Sequence, residues 1–306
     1  LRSMGFKSSR YDRDVWMINC PSGNGYNYIC THVDDFKIVA DEPYHYLEII
    51  SNVLLVKSHG PRQYYLGNNY TYHPQQRIWT YNCSTYEKEA LQKAEDILGT
   101  LPKKRTPLPV KECHPEISQA PLLDLHWHRN YQILLGILQW NFSVGRIELG
   151  PAVSSLNRFG ACPREDHLEL IKHVFGYLKY TEHHNRNIAI DSSPMYFERQ
   201  EPNFLALRPD FLKEYPDAKE EVDPNFPAPY GHPLETTILV DSDHAHDKKT
   251  RRSLTGLIVF VGSTPVTWMS KRQPTIASST YAAKFSALRT ACLLYTSDAA
   301  DDVRCG

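Results

Sequence analysis

"YICTHVDDFKIVA", residues 28–40, sets two adjacent aspartates, Asp34 and Asp35, inside a run otherwise rich in β-branched and aromatic residues. β-prone residues on both sides predict two strands, with the carboxylates at the turn between them. Asp is a common turn residue, so a plain hairpin accounts for the pair. The same arrangement also suits divalent cations. Neighbouring side chains on a strand diverge, so one carboxylate would aim into a site and the other would lie beside it. Mg2+ prefers carboxylate oxygens together with substrate phosphates, and two such ions stabilise the attacking and leaving oxygens of phosphoryl transfer. That chemistry needs a third carboxylate from another strand.

Working outward, residues 1–75 alternate short β-like runs with turn clusters. Strands are predicted at Val15 to Ile18, Tyr26 to Thr31, Phe36 to Ala40, Tyr64 to Leu66 and Asn69 to Tyr72. Between them, Leu47, Ile50 and Leu54 recur at helical intervals and predict a helix over Tyr44 to Val56, packed on the strands. From Thr80 the pattern turns helical. Ser84 and Glu87 have the spacing of a capping box for a helix that Gly99 ends. Two more helices are expected, over Asn130 to Trp140 and Glu165 to Lys179. In the second, Leu168, Ile171, Val174, Phe175 and Leu178 form an apolar stripe. Five tryptophans, Trp16, Trp79, Trp127, Trp140 and Trp268, read as core residues.

The stretch Leu101 to Pro121, with PKKRTPLP inside it, reads as a Pro-rich connector, and eight prolines over residues 191–233 read as a linker or insertion. From Thr237 a period of two returns in TILV, LIVFVG and PVTWMS, followed by a helix over Ser279 to Ala291. The expected class is therefore α+β or α/β, with a second α/β domain from about Thr236. The expected divisions fall at 1–79, 80–190, 191–235, 236–291 and 292–306.

The charge balance of −1 gives no overall pull toward polyanions, so nucleic-acid binding would rest on local basic surface. The seven cysteines form no CxxC pair, which predicts free thiols, and the pairs His126/His128, His183/His184 and His244/His246 lack zinc-ligand spacing. No apolar run approaches a membrane span and the first residues lack a signal-peptide core, so a soluble intracellular protein is expected, cytoplasmic or alternatively nuclear.

THVDDFKIVA resembles the Y-x-D-D hairpin of the reverse-transcriptase palm, with His32 in place of Tyr. GPRQYYLGNNYTY at 60–72 is similar to a strand pair near the primer grip of copia-type retrotransposon polymerases. The stretch from Tyr131 to Thr181 carries LNRF, P-x-x-x-H and GYLKYT, which resemble the L-S-R-F, P-x-x-x-H and R-Y-L-K-G-T series of that family. DSDHAHDKKTRRSLTGLIVFVGSTPVTWMSKRQP, from Asp241, is similar to the opening of its RNase H domain. The collinear order carries the resemblance, to the Pol polyprotein of copia-type LTR retrotransposons, over nearly the whole chain.

The resemblance implies the C-terminal part of a reverse-transcriptase palm, a helical thumb and connection, and a truncated RNase H-like domain. It implies Asp34, Asp35 and Asp241 as catalytic residues, and Mg2+ or Mn2+ held by Asp34, Asp35, Asp241 and Asp243. His32, Tyr65, Leu66, Gly67, Lys103, Lys104, Arg105, Arg251, Arg252 and Lys271 become candidates for nucleic-acid contact. The partners it implies are an RNA template, a DNA primer, the RNA–DNA hybrid and deoxynucleotide triphosphates. Lys284 stands where the family has a catalytic Glu, and an ammonium is no ligand for Mg2+. CLLYTSDAAD at 292–301 resembles a translated sequencing adapter rather than any part of the family. The expectation is a piece of a polyprotein that is inactive alone. Two alternatives are a catalytically dead remnant that binds nucleic acid, and an unrelated phosphohydrolase using Asp241, Asp243 and Asp247.

Overall fold

The computed structural model describes residues 1–9, 12–23, 25–56, 64–110, 113–184, 186–195, 230 and 233–300. Most of the expected linker, and residues 301–306 of the expected tail, lie outside them. The chain divides into two units, Leu1–Leu55 with Pro194–Pro233, and Val56–Ser193 with Leu234–Gly306.

In the first unit, β1 (Lys7–Ser8), β2 (Val15–Asn19), β3 (Tyr26–His32) and β4 (Asp35–Val39) form an antiparallel meander in that order. Short turns permit only this pairing, because parallel neighbours need long crossovers. Alternation along β3 sends Asn27 and Ile29 to a buried face. Helix α1 (Pro43–Ser51) meets that face, where Asn27 Nδ2 donates to Tyr46 Oη at 3.0 Å. Tyr46 also packs edge-on against Phe6, with ring centroids 5.2 Å apart. The helix is shorter than the apolar spacing predicts: Tyr46 and Ile50 are its buried residues, while Leu54 lies past its end and is exposed.

The second unit carries β5 (Tyr64–Tyr65), β6 (Asn68–His73), β7 (Ile78–Asn82) and β8 (Ile188–Ile190) in one antiparallel sheet. It also holds α2 (Ser84–Leu98), α3 (Leu125–Ser143), α4 (Gly150–Asn157) and α5 (Glu165–Thr181). A second antiparallel sheet, β9 (Thr236–Asp243), β10 (Leu254–Val261) and β11 (Thr264–Arg272), is followed by α6 (Thr280–Ala300). The class is mixed α+β. The α/β alternative fails because every strand pairing among the described residues is antiparallel.

The predicted stripe on α5 holds. Ile171, Val174, Phe175 and Leu178 are fully buried and meet Leu134 and Leu138 of α3, Leu156 of α4 and Leu91 of α2 in one core. The start of α3 lies earlier than predicted because Asp124 caps it, accepting from Trp127 N–H at 2.8 Å. The capping box at Ser84 does not form: Cys83 is the N-cap, and Glu87 turns into the interior instead. Gly99 does end α2, at a positive φ of 72°. The tryptophans are not core residues. Trp79 and Trp140 are 45% and 42% exposed, and Trp16, Trp127 and Trp268 are half-buried. Trp79 packs against Tyr72 on an open sheet face with the rings tilted by 40°, and the Trp268 indole N–H donates to Phe142 O at 2.7 Å.

The Pro-rich connector is pinned to α5. Lys104 N–H donates to Gly176 O at 3.0 Å, His173 Nε2 donates to Thr106 O at 3.0 Å, and Leu101 is buried in the core. A Cβ at Gly176 would overlap the Pro102 carbonyl oxygen. Gly176→Ala is therefore expected to cost about 2 kcal/mol or more, the scale of overpacking against backbone, read as a lowered denaturant midpoint. An unchanged midpoint would mean that the connector moves freely.

Candidate functional site

The aspartate hairpin has a two-residue turn, Val33–Asp34, closed by the pairing of His32 with Asp35. Val33 sits at φ 53° and is almost wholly exposed. A β-branched residue in that region is strained, by about 1–3 kcal/mol. Asp34 is exposed at the turn, and Asp35 is half-buried at the start of β4. By alternation and register, Asp35 shares a sheet face with Lys37, Cys30 and His32. This is the face opposite Asn27 and Ile29, which α1 covers. Burial pushes the Cys30 thiol up and the Lys37 ammonium down, each partly offset by the other. The hairpin thus offers two carboxylates whose hard oxygens fit Mg2+, held by the backbone turn.

The second acidic set lies on β9. Asp241 and Asp243 fall on one face by alternation, and both are exposed. Ala283, Ala287 and Ala291 bring α6 close to the sheet, and with it Lys284, whose Nζ lies 3.4 Å from Asp241 Oδ1. The Ser242 N–H and the Lys284 ammonium hold the Asp241 carboxyl below its ordinary range. Asp243 accepts from His246 Nδ1 at 2.7 Å.

Asp247 does something else. Its side chain is fully buried, and Oδ2 receives Arg272 Nη1 at 2.9 Å and Arg158 Nη2. Oδ1 accepts the N–H groups of Lys249 and Thr250 at 2.9 and 2.8 Å. Burial raises its pKa, but the Thr250 and Arg272 hydrogen bonds and the Arg158 charge outweigh it and hold it at about 2. This carboxylate ties the loop after β9 to the C-terminus of α4 and the end of β11. The phosphohydrolase alternative fails here, because Asp247 cannot join Asp241 and Asp243 on one ion. Among the described residues no three His, Cys, Asp or Glu side chains converge as a metal site.

Of the other candidates, Tyr65 is buried in β5, whereas Leu66 and Gly67 form the β5–β6 turn at φ 50° and 84°. A Cβ on Gly67 would come within 3.0 Å of Trp140 Nε1, so the turn sits against α3. Lys103 and Arg105 are exposed, and Lys104 is half-buried beside α5. Arg251, at φ 57°, lies in the loop that Asp247 organises, with Arg252 next to it; Lys271 is exposed on β11.

Comparison with known proteins finds relatives of low identity along most of the chain. No family model matches the chain, and no solved structure matches it at a significant level. Over 294 residues it is 24% identical to the retrovirus-related Pol polyprotein from transposon RE1 of Arabidopsis thaliana, covering 93% of this chain and 16% of that protein. The chain resembles retrotransposon Pol polyproteins. An uncharacterized mitochondrial protein of Arabidopsis thaliana is 25% identical over 264 residues, 85% of this chain and 90% of that protein. A putative transposon Ty5-1 protein of Saccharomyces cerevisiae is 24% identical over 275 residues, 89% of this chain and 74% of that protein. The chain spans about one sixth of the Pol polyproteins it matches and most of the two shorter relatives.

Within the Pol-like stretch, the sequence did not single out the residues that bind its parts together. Arg158, in LNRF, reaches a carboxylate 89 positions away. His167, in P-x-x-x-H, is buried, stacks on Phe159 and accepts Arg164 N–H at Nδ1, 3.2 Å. Its Nε2 therefore carries the proton, donated to Pro115 O at 2.9 Å. Both motifs serve packing here. The signal that could have found them is the motif itself, which sets a charged or polar residue among apolar neighbours.

Proposed function

We propose that this chain is a stretch of a retrotransposon Pol polyprotein, running from the end of a reverse-transcriptase palm through thumb and connection into an RNase H-like segment. On this reading its own activity is nucleic-acid binding without catalysis. The observation that carries it is resemblance to transposon Pol proteins along 93% of the chain, with Asp34 and Asp35 at a strained two-strand turn. Asp34 and Asp35 would hold Mg2+, which in the parent supplies charge stabilisation at the attacking and leaving oxygens of phosphoryl transfer. His32, beside the turn, would contact nucleic acid in the first unit, and the Leu66–Gly67 turn would do so in the second. Lys103, Arg105, Arg251, Arg252 and Lys271 would contact backbone phosphates. The Lys284 pairing with Asp241 favours the remnant reading for the RNase H-like segment.

The test is binding of the purified chain to a labelled RNA–DNA hybrid by fluorescence anisotropy, with primer extension and hybrid cleavage run alongside in Mg2+. Binding that weakens steeply with salt is expected, with neither extension nor cleavage. Binding insensitive to salt, or no binding at all, would remove the nucleic-acid reading. Extension would show that the hairpin carboxylates suffice.

A further inference from the structure

The family resemblance implies a divalent metal at the acidic strand β9, and the residues there do not fit one. Mg2+ gives up its waters reluctantly and takes oxygen ligands in near-octahedral geometry. Of the three aspartates in the segment, Asp247 is buried between Arg158 and Arg272, and Asp243 is engaged by His246. Asp241 alone remains, and its partner is an ammonium at 3.4 Å. The position of that ammonium follows from the fold: the alanine stripe at Ala283, Ala287 and Ala291 lets α6 approach the sheet, and Lys284 lies one residue round from it. We infer that Lys284 is a tethered cation that neutralises Asp241 and closes this acidic strand to divalent metal. A dication on the Asp241 carboxylate would sit roughly 4 Å from the ammonium, close enough even in water to weaken binding roughly thirtyfold. The inference rests on this ion pair and stands independently of nucleic-acid binding.

It is tested by titrating Mn2+ into the isotope-labelled full chain and following paramagnetic broadening of the amide signals of residues 241–243. Three proteins are compared: native, Lys284→Met, which removes the charge, and Lys284→Glu, which reverses it. Lys284 is well exposed, and amide spectra of the α3–α5 core report whether each variant keeps its fold. Selective broadening is expected in Lys284→Glu at a Mn2+ concentration at least about tenfold below that needed for the native chain, with Lys284→Met between them. Broadening of native and Lys284→Glu at the same concentration would overturn the inference. So would its absence from all three, since the ammonium would then not be what excludes the metal.

Discussion

Arg146→Met is expected to lower the unfolding free energy of the larger unit by about 3–5 kcal/mol at neutral pH. Arg146 is 1% exposed. Its Nη1 lies 2.5 Å from Glu87 Oε1, its Nε donates to Glu148 Oε1 at 2.8 Å, and its Nη2 donates to Thr181 Oγ1 at 2.7 Å. Burial works against the guanidinium charge, but the two carboxylates outweigh it and raise its pKa further. Glu87 is itself buried. Burial pushes its pKa up and Arg146 pulls it back, so without Arg146 an almost unpaired carboxylate remains in the interior. A methionine fills the volume, which separates the electrostatic loss from a cavity.

The sign with pH follows from that carboxylate. A Glu whose folded pKa lies above its unfolded value of about 4.3 folds best protonated, so the variant should lose stability as pH rises from about 4.3 through the raised value. Urea denaturation at two pH values is the measurement. The double variant Arg146→Met/Glu87→Leu should recover much of the loss, because paired buried charges are often replaceable by apolar groups. A single variant as stable as the native chain at pH 7 would mean that Glu87 reaches water.

The contrast between Glu87 and α5 shows which parts of this fold a sequence reader can see. The stripe Ile171, Val174, Phe175, Leu178 is legible because its period is set locally, one turn at a time, and burial only confirms it. The three strands after Thr236 are legible for the same reason. Glu87 had the spacing of a capping box, yet its position is decided by Arg146, 59 residues later, and no local pattern encodes that partner. β7 and β8 escaped because they are short and pair across more than 100 residues of intervening chain. The tryptophans misled because ring size argues for burial, whereas Trp79 lies on an open face with Tyr72. At the candidate sites, the aspartate hairpin was visible as a turn between β-prone runs. Lys284 was visible as a departure from a resembled motif, but its approach to Asp241 depends on helix–sheet packing.

The same limit explains Asp247, and it leads to the second large effect. In the sequence it looked like one more carboxylate in an acidic turn; in the fold it is the anion between two guanidiniums. Asp247→Asn keeps an oxygen for the Lys249 and Thr250 N–H groups but leaves Arg158 facing Arg272 without a counter-charge. The expected loss is about 2–4 kcal/mol at pH 7, less than for a fully enclosed pair because Arg272 is partly solvated. Asp247→Ala should cost about a further 1–2 kcal/mol by orphaning the two backbone donors. The pH signature separates charge from shape. With its folded pKa held at about 2 and an unfolded value of about 3.9, the native Asp247 contributes stability that is fully present above about pH 4. That contribution, about 2–3 kcal/mol, is lost as pH falls through about 2. Asp247→Asn has no such group, so its acid-unfolding curve should be shallower than the native one between pH 4 and 2, and the two should converge at the acid end. Parallel curves through that window would show that the carboxylate is not the charged hub of this junction.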